Sequence, residues 1–462
     1  MDFKSLLILA IAIVVILLTL RRLMYGIYFL ILLSPLERVF VTRVLGINIK
    51  LAEWMGLVCI LVFLWNYLAR PQKGLFPFKV MLPLFIFAIV NVVLGLLQLP
   101  AVMQFAQEAN FNSPGFRIIK VVVWCIYSIL VAMATCYAIK DVKDLKKCIN
   151  VLLVLMVSIC TVSLIAMILN LFGIRFAAWS LIGRIGFTGI KGTFTEPQYL
   201  ALYMAPIVPV ALFLFILRIY RLGLLLTVII SFVLLLANYF SFSTTGLAGI
   251  TLTIIAIPFL IRHYRMVTTS KGMRYAVILA VSIYIVFLVG AFFNIDFIKV
   301  TVSNYFNKMA RQDSRWAGRV MGQKMFMDHP FVGVGPGNWA WEAERSYRSQ
   351  VTKQTFVKPS FNCLYWEILT DLGMAGFIPF IWFFITMLHA LSKSIWRTND
   401  MFLKAVAAGL ILGIVTLLGE YYVTFNFYRI HVWPIFGITL AVIRLSYRPG
   451  QEILGNEQTI RI

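Results

Sequence analysis

The stretch VMLPLFIFAIVNVVLGLL, residues 80–97, contains no charged side chain, and Asn91 is its only strongly polar residue. About 20 apolar residues in helical form cross the hydrocarbon core of a bilayer, so this segment reads as a membrane span rather than a buried helix of a water-soluble domain. Runs of the same kind recur near 5–20, 49–68, 78–98, 116–139, 148–172, 197–217, 222–240, 246–261, 275–293, 364–388, 404–423 and 430–446. A shorter run, 23–33, follows Arg21 and Arg22. Either 5–33 is two short helices with the arginine pair reaching a headgroup layer, or 23–33 is a half-helix backed by protein. The expected fold class is an all-α polytopic membrane protein with 12–13 transmembrane helices.

Composition agrees. Of 462 residues, 61% are hydrophobic and 13% charged, with 38 Phe and a mean hydropathy of +0.91. Soluble domains average about a quarter charged residues, so this chain lacks the ionic groups to cover a solvent-exposed surface of its size. The formal charge of +23 would suggest nucleic acid in a soluble protein. In a polytopic membrane protein it is expected of loops and headgroup contacts, and no nucleic-acid partner is expected.

Loop charge sets the orientation. The short segments 69–79, 140–147, 218–222, 262–274 and 393–404 hold 16 Lys and Arg, against 4 in the opposite segments 99–115, 173–195, 241–245 and 424–429. The first set is expected in the cytoplasm, with the C-terminus, leaving one long extracytoplasmic loop, 295–361, that contains short helices. The chain then divides into N-terminal helices over 1–180, central helices over 181–294, the outer loop over 295–361, C-terminal helices over 362–446 and a cytoplasmic tail over 447–462. No signal-peptide cleavage pattern is read at the N-terminus. Six cysteines lie in or beside apolar runs, the four histidines are far apart, and no HExxH or DxD spacing occurs. Neither a disulfide framework, a metal site nor a cofactor is expected.

Four segments carry polar chemistry. In GRIGFTGIKGTFTEPQYLA, 183–201, Pro197 suits a first helical turn, and Glu196 either complements that helix dipole or serves as a general base or sugar ligand beside Arg184 and Lys191. In SFSTTGLAG, 241–249, Thr244 and its neighbours form a tight hairpin turn at Gly246 or face a polar cavity. Residues 314–327 read as an interfacial helix with Arg315 and Arg319 four apart on one face and Met321, Met325 and Phe326 toward lipid or core. Paired guanidiniums suit a diphosphate, although lipid phosphates would also occupy them. HPFVGVGPGNW, 329–339, is a compact glycine turn, not a dinucleotide fingerprint. In PSFNCLYWEILTDLGMAGF, 359–377, Asn362, Glu367 and Asp371 interrupt an apolar run, where a charge is costly and by default functional. Glu420, Tyr421, Tyr422, Asn426, Arg429 and His431 gather near another outer helix end.

Taken together, TFTEPQYLA, SFSTTG, GRVMGQKMFMDHPFVGVGPGNW and FNCLYWEILTDLGMAGF resemble the Wzy polymerase and O-antigen ligase superfamily of bacterial surface polysaccharide synthesis, over roughly residues 180–440. The EP and STTG variants are more like exopolysaccharide or capsule repeat-unit polymerases than ligases. The resemblance implies a metal-independent membrane glycosyltransferase of the cell membrane. Its donor would be undecaprenyl-diphosphate-linked oligosaccharide in the outer leaflet, its acceptor a growing glycan, and its companions a flippase and a chain-length regulator. It implies Arg319 on the diphosphate, and Asn338 and Asn362 at motif positions. Two departures stand out: Thr244 occupies a place where ligases have Arg, and Phe361 the place of a histidine. Glu196 is then the candidate base, with Arg184, Lys191 and Arg315 as further charges for the substrate. The alternatives are ligase-like transfer of glycan to a lipid or protein, or a transporter of lipid-linked oligosaccharide. Trp316, Trp339, Trp341 and Tyr347 are aromatic groups that could stack on sugar faces.

Overall fold

A computed structural model describes residues 13–37, 41–44, 47–70, 76–104, 114–172, 174, 182–183, 189–190, 192–194, 197–217, 219, 244–264, 314–347, 363–422, 424 and 427–447. Among them the chain is helical: α1 (13–21), α2 (Leu23–Leu33), α3 (Leu51–Ala69), α4 (Phe78–Gln104), α5 (Pro114–Ala138), α6 (Val142–Leu171), α7 (Pro197–Ile216), α8 (Thr244–His263), α9 (Ser314–Asp328), α10 (Trp339–Glu342), α11 (Leu364–Arg397), α12 (Met401–Glu420) and α13 (Trp433–Ser446). Two short antiparallel ribbons accompany them, β1 (Val41–Val44) with β2 (Ile47–Lys50) and β3 (Ile182–Gly183) with β4 (Gly189–Ile190).

Seven of these helices, α3 to α7, α11 and α12, contain stretches long and apolar enough to cross a membrane, and α2 and α13 are shorter apolar helices. The expected spans near 222–240 and 275–293, and the start of the one near 5–20, lie outside the described residues. Helix surfaces carry Leu96, Leu97, Trp65, Leu68 and Phe172 exposed, which is the lipid-facing arrangement of a membrane bundle. Several polar residues inside the helices bond within their own helix. Thr135, Ser163, Ser394 and Thr439 each donate to the carbonyl four residues earlier, and Asn91 donates to Phe87 O at 2.9 Å.

The short run 23–33 is a helix of its own. Arg22 is extended (φ −154°, ψ 113°) and interrupts the helix, and its guanidinium pairs with Asp144 at 2.6 Å. The arginine therefore has a protein partner at the start of α6. The 41–50 ribbon, absent from the sequence reading, has β-branched Val41, Thr42, Val44, Ile47 and Ile49 among its paired residues, a composition that favours extended backbone.

The tightest helix packing is made by glycine. Gly409 and Gly413, four apart on α12, bring that helix against the α7 backbone at Val210 and Pro206. A Cβ at either position would come within 2.4 Å of a Cα there. Small residues spaced this way allow the van der Waals contact that holds helices together in lipid. A second glycine contact, Gly437 of α13, meets Ala132 and Thr135 of α5. Between α4, α11 and α13 an aromatic core closes around buried Phe427, whose ring lies 5.2 Å from Phe380, 5.1 Å from Trp433 and 6.0 Å from Phe87.

Contacts between helix ends sort the bundle into two poles. At one, Arg22 meets Asp144, Arg444 donates to Ile139 O, Lys146 lies over Phe402 and Arg397 over Tyr447. At the other, Leu364 N donates to Tyr421 O and Thr424 O, and Thr193 donates to Pro35 O. The basic segments 140–147 and 393–404 flank the first pole. The four polar segments singled out from sequence belong to the second or lie beside it in the chain.

Gly413→Leu should drive a side chain into the Pro206 backbone and lower stability by about 1–3 kcal/mol, read as a reduced melting temperature in detergent. Gly419→Ala, where a Cβ meets nothing within 4 Å, should leave it unchanged or raise it.

Candidate active site

The glycine turn is built by an exchange of backbone bonds. In an uninterrupted helix the amides of Met374 and Ala375 would donate to the carbonyls of Thr370 and Asp371. Gly373 breaks α11 with φ 58° and ψ −158°. Met374 N instead donates to Pro330 O at 2.8 Å and Ala375 N to Phe331 O at 3.0 Å, while Thr370 O accepts from Val334 N at 2.8 Å and Asp371 O from Gly335 N at 2.9 Å. Glycine is required on both sides: a Cβ on Gly373 would lie 2.4 Å from the Phe331 carbonyl carbon, and one on Gly333 (φ +64°) 2.5 Å from the Asp371 carbonyl. The positive φ of each adds strain for any L side chain.

The Asp371 side chain completes the join. Its two oxygens accept from Gly337 N at 2.8 Å and Trp339 N at 2.9 Å, capping the short α10. A buried carboxylate in an apolar run, expected to be functional from its cost alone, here holds the turn. Asn338 is buried and closes the same turn, with Nδ2 donating to Val334 O at 3.2 Å. Its Oδ1 is buried with no hydrogen-bond partner.

Upon this platform lies α9. Ala317, Met321 and Met325, four apart, are buried against Ala343 and Tyr347, with Val334 and Trp339 alongside. Met321 and Met325 therefore face protein, as one of the two sequence readings had it. Tyr347 is interior, its hydroxyl donating to Asp328 at 2.5 Å, so its ring is no sugar platform. Trp339 and Trp341 are half-buried, and Arg345 stacks on Trp341 at 5.1 Å.

Arg319 is half-buried, its guanidinium 5.2 Å from the centre of the Tyr422 ring and its Nε buried with no hydrogen-bond partner. Beneath it is the start of α11. Cys363 precedes that helix, and Glu367, one turn in, accepts from the Trp339 side chain and keeps Oε2 buried and unpartnered. Burial pushes the Cys363 thiol up, while Arg319 pulls it down and Glu367 adds to the rise.

A second charged group at the same pole joins the N-terminal helices to the C-terminal ones. Glu37, after α2, pairs with Arg429 and with Lys50 at 3.2 Å. Arg429 also lies 3.6 Å over the Tyr199 ring, and buried His431 is held edge-on by Phe194 at 5.4 Å and Tyr203 at 5.6 Å. Burial pushes the Glu37 carboxyl up, but Arg429, His431 and Lys50 together outweigh it and leave it at about 2. Burial lowers His431 to about 3, against the opposing pull of Glu37. Arg429 and His431 were visible as a polar cluster in the sequence. Glu37 and Lys50 were not, because only the fold brings residues from the first 50 to this pole.

Of the residues expected from sequence to bind substrate or act in catalysis, Arg319 and Asn338 are described in full and belong to one α9–turn–α11 unit. Arg315 lies in α9 and Thr244 opens α8, with only their backbones described. Gly246 is inside the first turn of α8 rather than in a hairpin, a helix start that hydroxylated residues favour. Glu196, Arg184, Lys191 and Asn362 lie outside the described residues. Among the described residues no group of three or more His, Cys, Asp or Glu is placed to hold a metal ion. All six cysteines are buried free thiols.

Residues 229–381 match the family model described as O-antigen ligase, a stretch that includes α9, the glycine turn and the first half of α11. No curated protein matches the chain.

Two measurements check this geometry. Asp371→Leu strands the amides of Gly337 and Trp339 at about 1–3 kcal/mol each, and should raise amide exchange and protease cutting within 330–345 while α5 and α13 stay protected. For the charged group, a folded pKa below the unfolded one means stability lost on acidification. The melting temperature should fall from pH about 6.5 toward 3 through His431, and from about 4.5 toward 2 through Glu37. In His431→Leu the decline should begin only near 4.5.

Proposed function

With an O-antigen ligase-type domain over residues 229–381 in a multi-pass helical membrane protein, we propose that this chain is a repeat-unit polymerase of a cell-surface polysaccharide. Its activity in general is that of a membrane glycosyltransferase or ligase. The finer reading is that it extends undecaprenyl-diphosphate-linked oligosaccharide on the outer face of the cell membrane. The pole with Arg319 faces outward, and the C-terminus and the basic short loops face the cytoplasm.

The observation that supports this reading best is Arg319: a permanently charged fork, steadied on the Tyr422 ring, with a buried donor left over. Phosphate oxygens are the natural acceptors for such a group. In the reaction an acceptor hydroxyl attacks the anomeric carbon of the donor and the carbon–oxygen bond to the diphosphate breaks. The electron pair leaves on the diphosphate, where Arg319 stabilises the developing charge, and the hydroxyl proton passes to Glu196 as general base. No metal takes part. Arg184, Lys191 and Arg315 add positive charge for the diphosphate, and Thr244, Asn338 and Asn362 contact the substrate. A flippase supplies the donor and a chain-length regulator limits the product.

The family description favours a second reading, transfer of finished glycan to a lipid or protein. Reconstitution with lipid-linked repeat unit separates the two, since a polymerase yields a ladder and a ligase a single product. Arg319→Ala should lower turnover by at least about 100-fold, the loss of one transition-state donor or more, and Glu196→Gln by about 100-fold. Unchanged elongation in both variants would remove the assignment of these two residues.

A further inference from the structure

Arg319 and Glu367 both act electrostatically on the Cys363 thiol, in opposite senses, yet neither satisfies the other. Arg319 keeps Nε as a buried donor without an acceptor, and Glu367 keeps Oε2 as a buried acceptor without a donor. Among the described residues no ion pair joins them. A buried group left unpaired costs about 1–3 kcal/mol, and more when charged. Two such groups of complementary sense at one level of the bundle are therefore matched to a ligand bearing an acceptor for one and a donor for the other. A sugar joined to phosphate has that pair: a phosphate oxygen for Arg319 and, on the adjoining ring, hydroxyl groups for a carboxylate. The Glu367 side chain accepts from the half-buried Trp339 side chain, so an aromatic ring borders the same carboxyl group. A carboxylate beside an aromatic ring suits a saccharide, which offers hydroxyl donors and an apolar C–H face together.

We propose that Glu367 is a substrate-binding residue that accepts a hydrogen bond from a hydroxyl of the sugar joined directly to the diphosphate. The proposal rests on the reading of Arg319 as the diphosphate site. It makes recognition of the donor two-part: the arginine binds the diphosphate whatever it bears, and the carboxylate distinguishes a glycosylated lipid from the bare leaving group. After transfer, the released lipid diphosphate no longer carries the hydroxyl that Glu367 reads, which weakens its hold relative to fresh donor.

The test uses the full-length protein in detergent and two probes, undecaprenyl diphosphate and the same lipid carrying the producing bacterium's repeat unit. Glu367→Gln replaces the accepting oxygen with a donor. It should weaken binding of the saccharide-bearing lipid by about tenfold, the worth of one buried hydrogen bond, and leave undecaprenyl diphosphate unchanged. Arg319→Ala should weaken both. Trp339→Phe keeps an aromatic ring, though a smaller one, and removes the indole N–H, and should retain the wild-type preference for the saccharide-bearing lipid. Equal loss for both lipids in Glu367→Gln, no loss for either, or a Trp339→Phe variant that reproduces the Glu367→Gln pattern would overturn the proposal, the last because Glu367 would then act only by holding Trp339. Wild-type protein that binds neither lipid would overturn the diphosphate reading as well.

Discussion

The architecture of the pole that carries Arg319 depends on the exchange of hydrogen bonds at Gly373. Helix α11 gives up its own bonding at Met374 and Ala375, and the four backbone bonds to residues 330–335 take its place. An exposed break of this kind inside a membrane helix would be costly, because lipid offers no substitute partners. Here each freed group has a partner, and Asp371 binds two more amides of the same turn. The turn is thus part of the α11 framework, and α9 with Arg319 rests on it. Arg319 thus lies above a rigid base rather than on a loose loop, which suits the diphosphate site proposed for it.

Charge is divided between the poles in different ways. At the basic pole, Arg22 and Arg444 are tied to Asp144 and to the Ile139 carbonyl, contacts that fasten helix ends. At the other pole, one buried carboxylate, Glu37, serves two cations, Lys50 and Arg429. Removing one partner of a buried pair is typically far more damaging than the pair is stabilising. Through this group the N-terminal helices, which share only hydropathy with the resembled superfamily, brace the start of α7 and the approach to α13.

Much of the fold was legible because membrane insertion leaves a coarse, strong signal. The run 80–97 is apolar by itself, and α4 covers it. Pro197 opens α7, and the helix expected over 314–327 is observed over Ser314–Asp328. The glycine turn was legible as a turn because three glycines in so few residues serve little else. What could not be read was pairing. Asp371 looked functional by the cost of its burial, and only the amides of Gly337 and Trp339 give that cost a structural return. Glu37 lies in LSPLER, residues 33–38, and nothing near it in sequence indicates Arg429. Arg319 was found by motif resemblance, whereas the orphaned oxygen of Glu367 required coordinates.

The central claim is that this pole of the bundle performs glycosyl transfer from a lipid diphosphate without needing a transmembrane gradient. The most direct measurement is turnover by the purified protein in detergent, where no sealed compartment exists, following release of undecaprenyl diphosphate alongside new glycan. The account predicts one undecaprenyl diphosphate released per unit transferred, insensitive to protonophore and lost in Arg319→Ala. Absence of any glycan product in detergent, with transport of the lipid-linked oligosaccharide observed only in sealed vesicles, would contradict it.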